Sequence, residues 1–359
     1  MRLKIAWQTA TKPRPVVIKK HPDFFIIGAP KCGTTALAEY LSLHPDIFMA
    51  RKEMHHFGHD LRFGGQIYRR NRRDYLQEFG AWNGQARAGE ASVWYLFSAR
   101  AAEEIKAFNP RARIIIMLRE PTEMLYSLYN QFRLDGNEHL PTFAEALAAE
   151  DDRLAGRQVT RSTYFRQGLI YHSVAAYTEQ VRRYMKLFGR KQVHVILYDD
   201  FAANTAAAYK SVLEFLDVDA TRPPNSFPVI NGSQEIKSSW FRSLMSDPLV
   251  RGSAIATRNW LPAPVFKGLQ QIESRLMQMN IRAAKRPALD PVLRQRLVRE
   301  FAPEVTQFGK LIGRDLAGWR LAESAPPEPI ARTARLPDGQ NLITKYEDRS
   351  SKLTTCSNP

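Results

Sequence analysis

Residues 24–42 set the tightest limit on what this chain can fold into. The run Phe24-Phe25-Ile26-Ile27 is apolar, branched or aromatic, and short, as a buried strand is. It feeds directly into Gly28-Ala29-Pro30-Lys31-Cys32-Gly33-Thr34-Thr35. Ala36, Leu37, Tyr40 and Leu41 then recur at helical spacing until His44-Pro45 ends the helix. A strand, a glycine loop and a helix start in that order bring several backbone N–H groups and the positive end of a helix dipole to one point. Such a point binds a phosphate or another anion.

The same alternation returns further along. Arg113-Ile114-Ile115-Ile116-Met117-Leu118 reads as a second buried strand, and Pro121 suits the first turn of a helix reaching about Phe132. Residues 168–188 have a helical period. Val193-His194-Val195-Ile196-Leu197-Tyr198 is a third strand, followed by a helix over about 206–216. Strands separated by helices predict an α/β protein: a P-loop-like three-layer α/β/α arrangement around a central, mainly parallel sheet. The stretch 240–280 reads as helical without a motif, 291–311 as an amphipathic helix, and Trp319 lies near the end of the packed part. The expected organisation is a basic segment at 1–22, one domain at 23–321 and a polar, loosely ordered tail at 322–359.

Charge narrows the partners but does not choose one. The chain of 359 residues has a formal net charge of +16, which draws polyanions of every kind. No aromatic-basic interleaving marks a single-strand nucleic-acid binder, so no nucleic acid is expected. The only two cysteines, Cys32 and Cys356, fall in a loop and a polar tail, and no zinc spacing is present. That usage suits a reducing compartment. The opening residues hold no hydrophobic core of a signal peptide and no stretch is apolar enough to span a bilayer. A cytoplasmic location is therefore expected, with peripheral membrane contact left open.

Against the nucleotide-binding pattern G-x-x-x-x-G-K-[ST], Gly28, Gly33 and Thr35 fit and the lysine does not. Thr34 holds that position, and the loop's own lysine is Lys31. A P-loop ATPase or kinase also needs an aspartate after a later strand to help hold its metal. Here that strand ends in Arg119-Glu120-Pro121. The loop suits a nucleotide neutralised by Lys and Arg, with no metal.

Pro30-Lys31-Cys32-Gly33-Thr34-Thr35 resembles the 5′-phosphosulfate loop of sulfotransferases that use 3′-phosphoadenosine 5′-phosphosulfate (PAPS). Arg119 with Ser127 eight residues later resembles the 3′-phosphate site of the same family. The likeness runs over about 22–320 and includes Gly89-Glu90-Ala91-Ser92 before Tyr95, and the helix start Gly168-Leu169-Ile170-Tyr171. It implies a sulfotransferase fold, PAPS as co-substrate, 3′,5′-bisphosphoadenosine (PAP) as product, and cofactor contacts from Lys31, Cys32, Gly33, Thr34, Thr35, Ala36, Arg119 and Ser127. It also implies sulfuryl transfer to a hydroxyl or amine, here of a carbohydrate or glycolipid, an acidic glycan included.

Such a transfer needs a base for the acceptor's proton and cations for the charge on the leaving oxygen. Lys31 and the loop amides serve the second need. For the first, Arg51-Lys52-Glu53-Met54-His55-His56-Phe57 resembles the Glu-x-His-x-Phe motif of heparan sulfate sulfotransferases. That resemblance makes Glu53 the base and His55 its orienting partner. Two positions depart from the glycan enzymes: Ala91 stands where they carry a substrate-contacting lysine, and Thr35 where some carry arginine. Asn231-Gly232-Ser233 through Lys237-Ser238, and Lys285-Arg286, are candidate late contacts to the 3′-phosphate. The competing readings are a P-loop kinase or NTPase, and a non-enzymatic polyanion binder using residues 69–73 and the basic N-terminus.

Overall fold

The computed structural model describes residues 21–64, 71–222, 224, 226–228, 234–236, 281–283 and 287–320. Expectations placed on 1–20, on Arg69 and Arg70, on 231–233 and 237–280, on Lys285-Arg286 and on the tail from 321 lie outside the described residues.

Five parallel strands form the central sheet: β1 (Phe24–Gly28), β2 (Ile47–Met49), β3 (Arg87–Ala91), β4 (Arg113–Leu118) and β5 (Val193–Leu197). Their order across the sheet is β2-β3-β1-β4-β5. All five residues of β1 are buried, and so are residues 114–118 of β4, with no alternation along either strand. Burial without alternation requires cover on both faces, which makes the architecture three-layer α/β/α. A separate pair, β6 (Gln234–Ile236) and β7 (Ile281–Ala283), is antiparallel.

The covering helices, in chain order, are α1 (Thr34–Ser42), α2 (Arg72–Gln77), α3 (Ala101–Phe108), α4 (Pro121–Asp135), α5 (Phe143–Ala148), α6 (Glu150–Leu154), α7 (Tyr171–Val174), α8 (Tyr177–Phe188), α9 (Tyr198–Ala203), α10 (Thr205–Leu216) and α11 (Pro291–Ile312). Pro121 occupies the first turn of α4, as expected, and the Glu120 carboxylate accepts from the Thr122 and Glu123 amides to cap it. That helix runs one turn past Phe132, to a left-handed Gly136.

The chain leaves β1 toward β2 on one side and leaves β4 toward β5 on the other. This reversal opens a crevice at the carboxyl ends of β1 and β4, where open α/β sheets place their ligands. The structure also refines three expectations. Strands β2 and β3 are additional to the three read from the sequence. The helical period of 168–188 is broken into a 3₁₀ turn at Gln167–Leu169, then α7 and α8. Strand β5 ends at Leu197, so Tyr198 opens α9 at the strand's carboxyl end.

Candidate active site

The groups assembled here come from the loops that follow the strands and from the helices after them. The loop after β1 carries Lys31 and Gly33, both in left-handed backbone conformation (φ 62° and 87°). Gly33 is the N-cap of α1, and no side chain caps that end. The amides of the first turn, Thr34 to Ala36, have no intrahelical acceptor and point out of the helix end. A side chain at 33 would be strained there, and its Cβ would lie 3.3 Å from Met117 Cε and 3.4 Å from the Tyr198 ring. Cys32 is buried, its Sγ 3.3 Å from the Pro30 carbonyl, and burial pushes the thiol up to about 12. Only the backbone at Cys32 is therefore placed to meet a ligand; the thiol is inert. Thr34 and Ala36 likewise turn their side chains inward.

Arg119 follows β4. Its guanidinium lies 4.6 Å from the centre of the Tyr198 ring and 3.3 Å from Glu123 Oε2. Ser127 is partly exposed on α4, and the α4 positions 123, 127 and 131 share one face at a spacing of four. At the far end of that stripe, Gln131 Oε1 accepts from Lys31 Nζ at 3.1 Å. The face of α4 therefore runs from Arg119 to the loop lysine.

The segment after β2 folds back over the end of β3. The Glu53 amide donates to the Ala91 carbonyl at 2.9 Å, and the Val93 amide lies 3.3 Å from Glu53 Oε2. His55 Nε2 is 4.0 Å from the same oxygen, and its ring packs on Phe63 at 4.4 Å. Glu53 and His55 are both left-handed (φ 57° and 47°). The Glu53 side chain keeps 35% of its surface exposed, yet loss of hydration still pushes its carboxyl up; Lys52 and the Val93 amide pull the other way. A carboxylate raised in this way is a stronger base. The structure thus places Lys31, Arg119, Ser127, Glu53 and His55, all singled out in the sequence, at one end of the sheet.

Residues 21–258 match the sulfotransferase domain family. The chain belongs to the sulfotransferase family. Heparan sulfate glucosamine 3-O-sulfotransferase 5 of Homo sapiens is 28% identical over 205 residues, which cover 56% of this chain and 55% of that protein. Carbohydrate sulfotransferase 15 of Homo sapiens is 28% identical over 250 residues, covering 55% of this chain and 44% of that one. A bifunctional heparan sulfate N-deacetylase/N-sulfotransferase 1 of Caenorhabditis briggsae is 27% identical over 203 residues, 56% of this chain and 23% of that protein. The chain thus spans between about a quarter and about half of the length of these curated relatives. A solved sulfotransferase from Alicyclobacillus acidocaldarius is 30% identical with a TM-score of 0.63, covering 84% of this chain and all of that one.

Three residues of this candidate site escape sequence reasoning. Lys52 reaches Thr35 Oγ1 at 2.6 Å, Gln131 holds Lys31, and Tyr198 lies between Gly33 and Arg119. Lys52 is adjacent to the motif glutamate and could have been found there. Gln131 carries the weak signal of four-residue spacing from Ser127. Tyr198 ends an apolar run and carries no separate signal. Ala91 is fully buried in β3, so the position contributes only its carbonyl, to the Glu53 amide.

Proposed function

We propose that the protein transfers a sulfuryl group from PAPS to a hydroxyl or amine of a carbohydrate or glycolipid, without a metal. The observation that carries this reading is the convergence of an uncapped α1 start, Lys31 and Arg119 with a carboxylate, Glu53, of raised proton affinity. The donor set fits a doubly phosphorylated nucleotide. The amides at 33–36 and Lys31 would hold the 5′-phosphosulfate, and Arg119 with Ser127 the 3′-phosphate. Bound there, PAPS would supply an activated sulfur whose bond to the 5′-phosphate oxygen breaks as the acceptor oxygen or nitrogen bonds to it. Glu53 takes the acceptor's proton, and His55 fixes the carboxylate from one side. Lys31 and the loop amides meet the negative charge left on the phosphate. The names of the curated relatives support a glycan acceptor. A cytoplasmic location belongs to the same proposal and rests on cysteine usage.

The P-loop kinase reading lacks its lysine at 34 and its acidic strand end, which here is Arg119. Thermal unfolding with each nucleotide separates the two. We expect PAP at 100 times its Kd to stabilise the protein by about 2.7 kcal/mol, with EDTA present. Transfer of label from [³⁵S]PAPS to a panel of neutral and acidic glycans should persist in EDTA. Stabilisation by Mg²⁺–ATP and none by PAP would overturn the proposal. Among the described residues no helix is long and apolar enough to cross a membrane.

A further inference from the structure

We infer that Lys52 is a positioning residue that clamps Glu53 to the start of α1 and keeps it in its proton-accepting form. The inference rests on the reading of Glu53 as the base. Two consecutive residues in extended chain point their side chains to opposite faces. Lys52 and Glu53 depart from this: Glu53 is left-handed (φ 57°), and the two side chains meet. Lys52 Nζ then lies 3.6 Å from Glu53 Oε1 and 2.6 Å from Thr35 Oγ1. Thr35 belongs to the first turn of α1, directly after the phosphate loop. One half-buried ammonium, 25% exposed, therefore ties the base to the loop.

The surrounding charges make this cation decisive. Glu53 faces His55 Nε2 at 4.0 Å on its own segment and the Val93 amide just past β3, and its charge helps raise buried Glu90 on β3. Tyr164 also feels the charge of Glu53. Lys52 in turn faces Glu39 on α1 and is lowered by burial, against the pull of both carboxylates. Burial favours a protonated Glu53, which cannot accept a proton. The Lys52 ammonium, 3.6 Å away, is the charge that opposes this. Holding the carboxylate beside α1 also sets where the acceptor hydroxyl must arrive relative to the phosphate loop, so the contact serves geometry and charge together.

The test follows the Glu53 carboxyl directly. The full chain, labelled with ¹³C at glutamate Cδ, is titrated by NMR as wild type and as Lys52→Met, Lys52→Gln and Lys52→Arg, with Glu53→Gln assigning the signal. The acid limb of kcat/KM is measured in parallel. An opposite charge at this range moves a carboxyl by about 1–3 pH units. We expect the midpoint and the acid limb to rise together by about one unit or more in the Met and Gln variants and to return in Arg, with PAP affinity changed less than about threefold. A midpoint unmoved in a folded Met or Gln variant would overturn the inference. So would PAP affinity lost in these variants with the midpoint unmoved, since the cation would then serve the nucleotide. The NMR midpoint needs neither donor nor acceptor. If PAP fails to bind the wild type, the PAPS reading fails while the Lys52–Glu53 coupling is still measured.

Discussion

At the scale of single residues, Glu53 carries two costs at once. Its backbone is left-handed (φ 57°), which disfavours a non-glycine residue by about 1–2 kcal/mol. Its carboxyl is partly desolvated and raised. Such costs persist where surrounding structure over-determines the geometry, and they cluster at functional sites. Glu53→Gln preserves shape and removes the base, so turnover should fall by about 100-fold or more. PAP affinity should stay within about threefold, because the nucleotide groups lie elsewhere. Steady-state turnover beside PAP calorimetry checks both, and near-wild-type turnover would remove Glu53 from the mechanism. Lys31, Gly33, Arg119, Ser127 and Glu53 were legible because each belongs to a local pattern a few residues long. Gln131 was not, because its contact with Lys31 joins positions 100 residues apart. Lys52 was not singled out, because the left-handed backbone at Glu53 that accompanies its contact has no sequence pattern.

At the scale of elements, the segment carrying Glu53 hangs from the end of β3 rather than on a helix. Ser92 Oγ accepts from the Met54 amide at 3.0 Å and the His55 amide at 3.4 Å, and donates to Glu90 Oε2 at 2.8 Å. Tyr95 accepts from the His56 amide at 2.9 Å and donates to Glu90 Oε1 at 3.2 Å. Tyr75 adds a third hydroxyl to Glu90 at 2.9 Å. Burial pushes Glu90 up to about 7 in spite of these three donors. Ser92→Ala would strand the amide of Met54, a fully buried residue, at a cost of about 1–3 kcal/mol. We expect a melting temperature several degrees lower and turnover reduced about tenfold or more, since a base displaced by even 1 Å loses much of its effect. Calorimetry and turnover both at wild-type values would show that Ser92 does not hold the segment. The same network explains why β3 was illegible. Its sequence Arg87-Ala88-Gly89-Glu90-Ala91 has no branched or aromatic residue. Gly89 is there because a Cβ would lie 2.4 Å from the Phe24 ring, and Glu90 is there for the hydroxyls around it. By contrast β1, β4 and β5 read directly, being apolar runs. The continuous helix expected over 168–188 fails because Gly168 packs against Phe165 and Phe132, and a 3₁₀ turn replaces the helix there.

At the scale of the whole molecule, the closing helix α11 is fastened back to the domain by an imidazole. His172 on α7 places Nδ1 3.0 Å from Glu150 Oε1 on α6 and Nε2 2.9 Å from Glu300 Oε1 on α11. Its ring stacks on Phe301 at 5.3 Å. Burial alone would depress the imidazole, but the bonds and charges of Glu150 and Glu300 outweigh it and raise His172 to about 10. His172 in turn holds Glu300 below its ordinary value, against burial. A folded-state value above the unfolded one means protonation stabilises the fold. The contribution is complete below about pH 6.5, where both states are protonated, declines between about 6.5 and 10, and is gone above that. Activity has the opposite slope at its acid end, because Glu53 must lose its proton to act as base. The two groups therefore bound the working range from opposite sides, one by chemistry and one by stability. Melting curves of wild type and His172→Gln from pH 6 to pH 10 check this. The wild type should be the more stable at pH 6, and the gap should close steadily as the pH rises. A gap of constant size across that range would mean that His172 contributes packing and not charge.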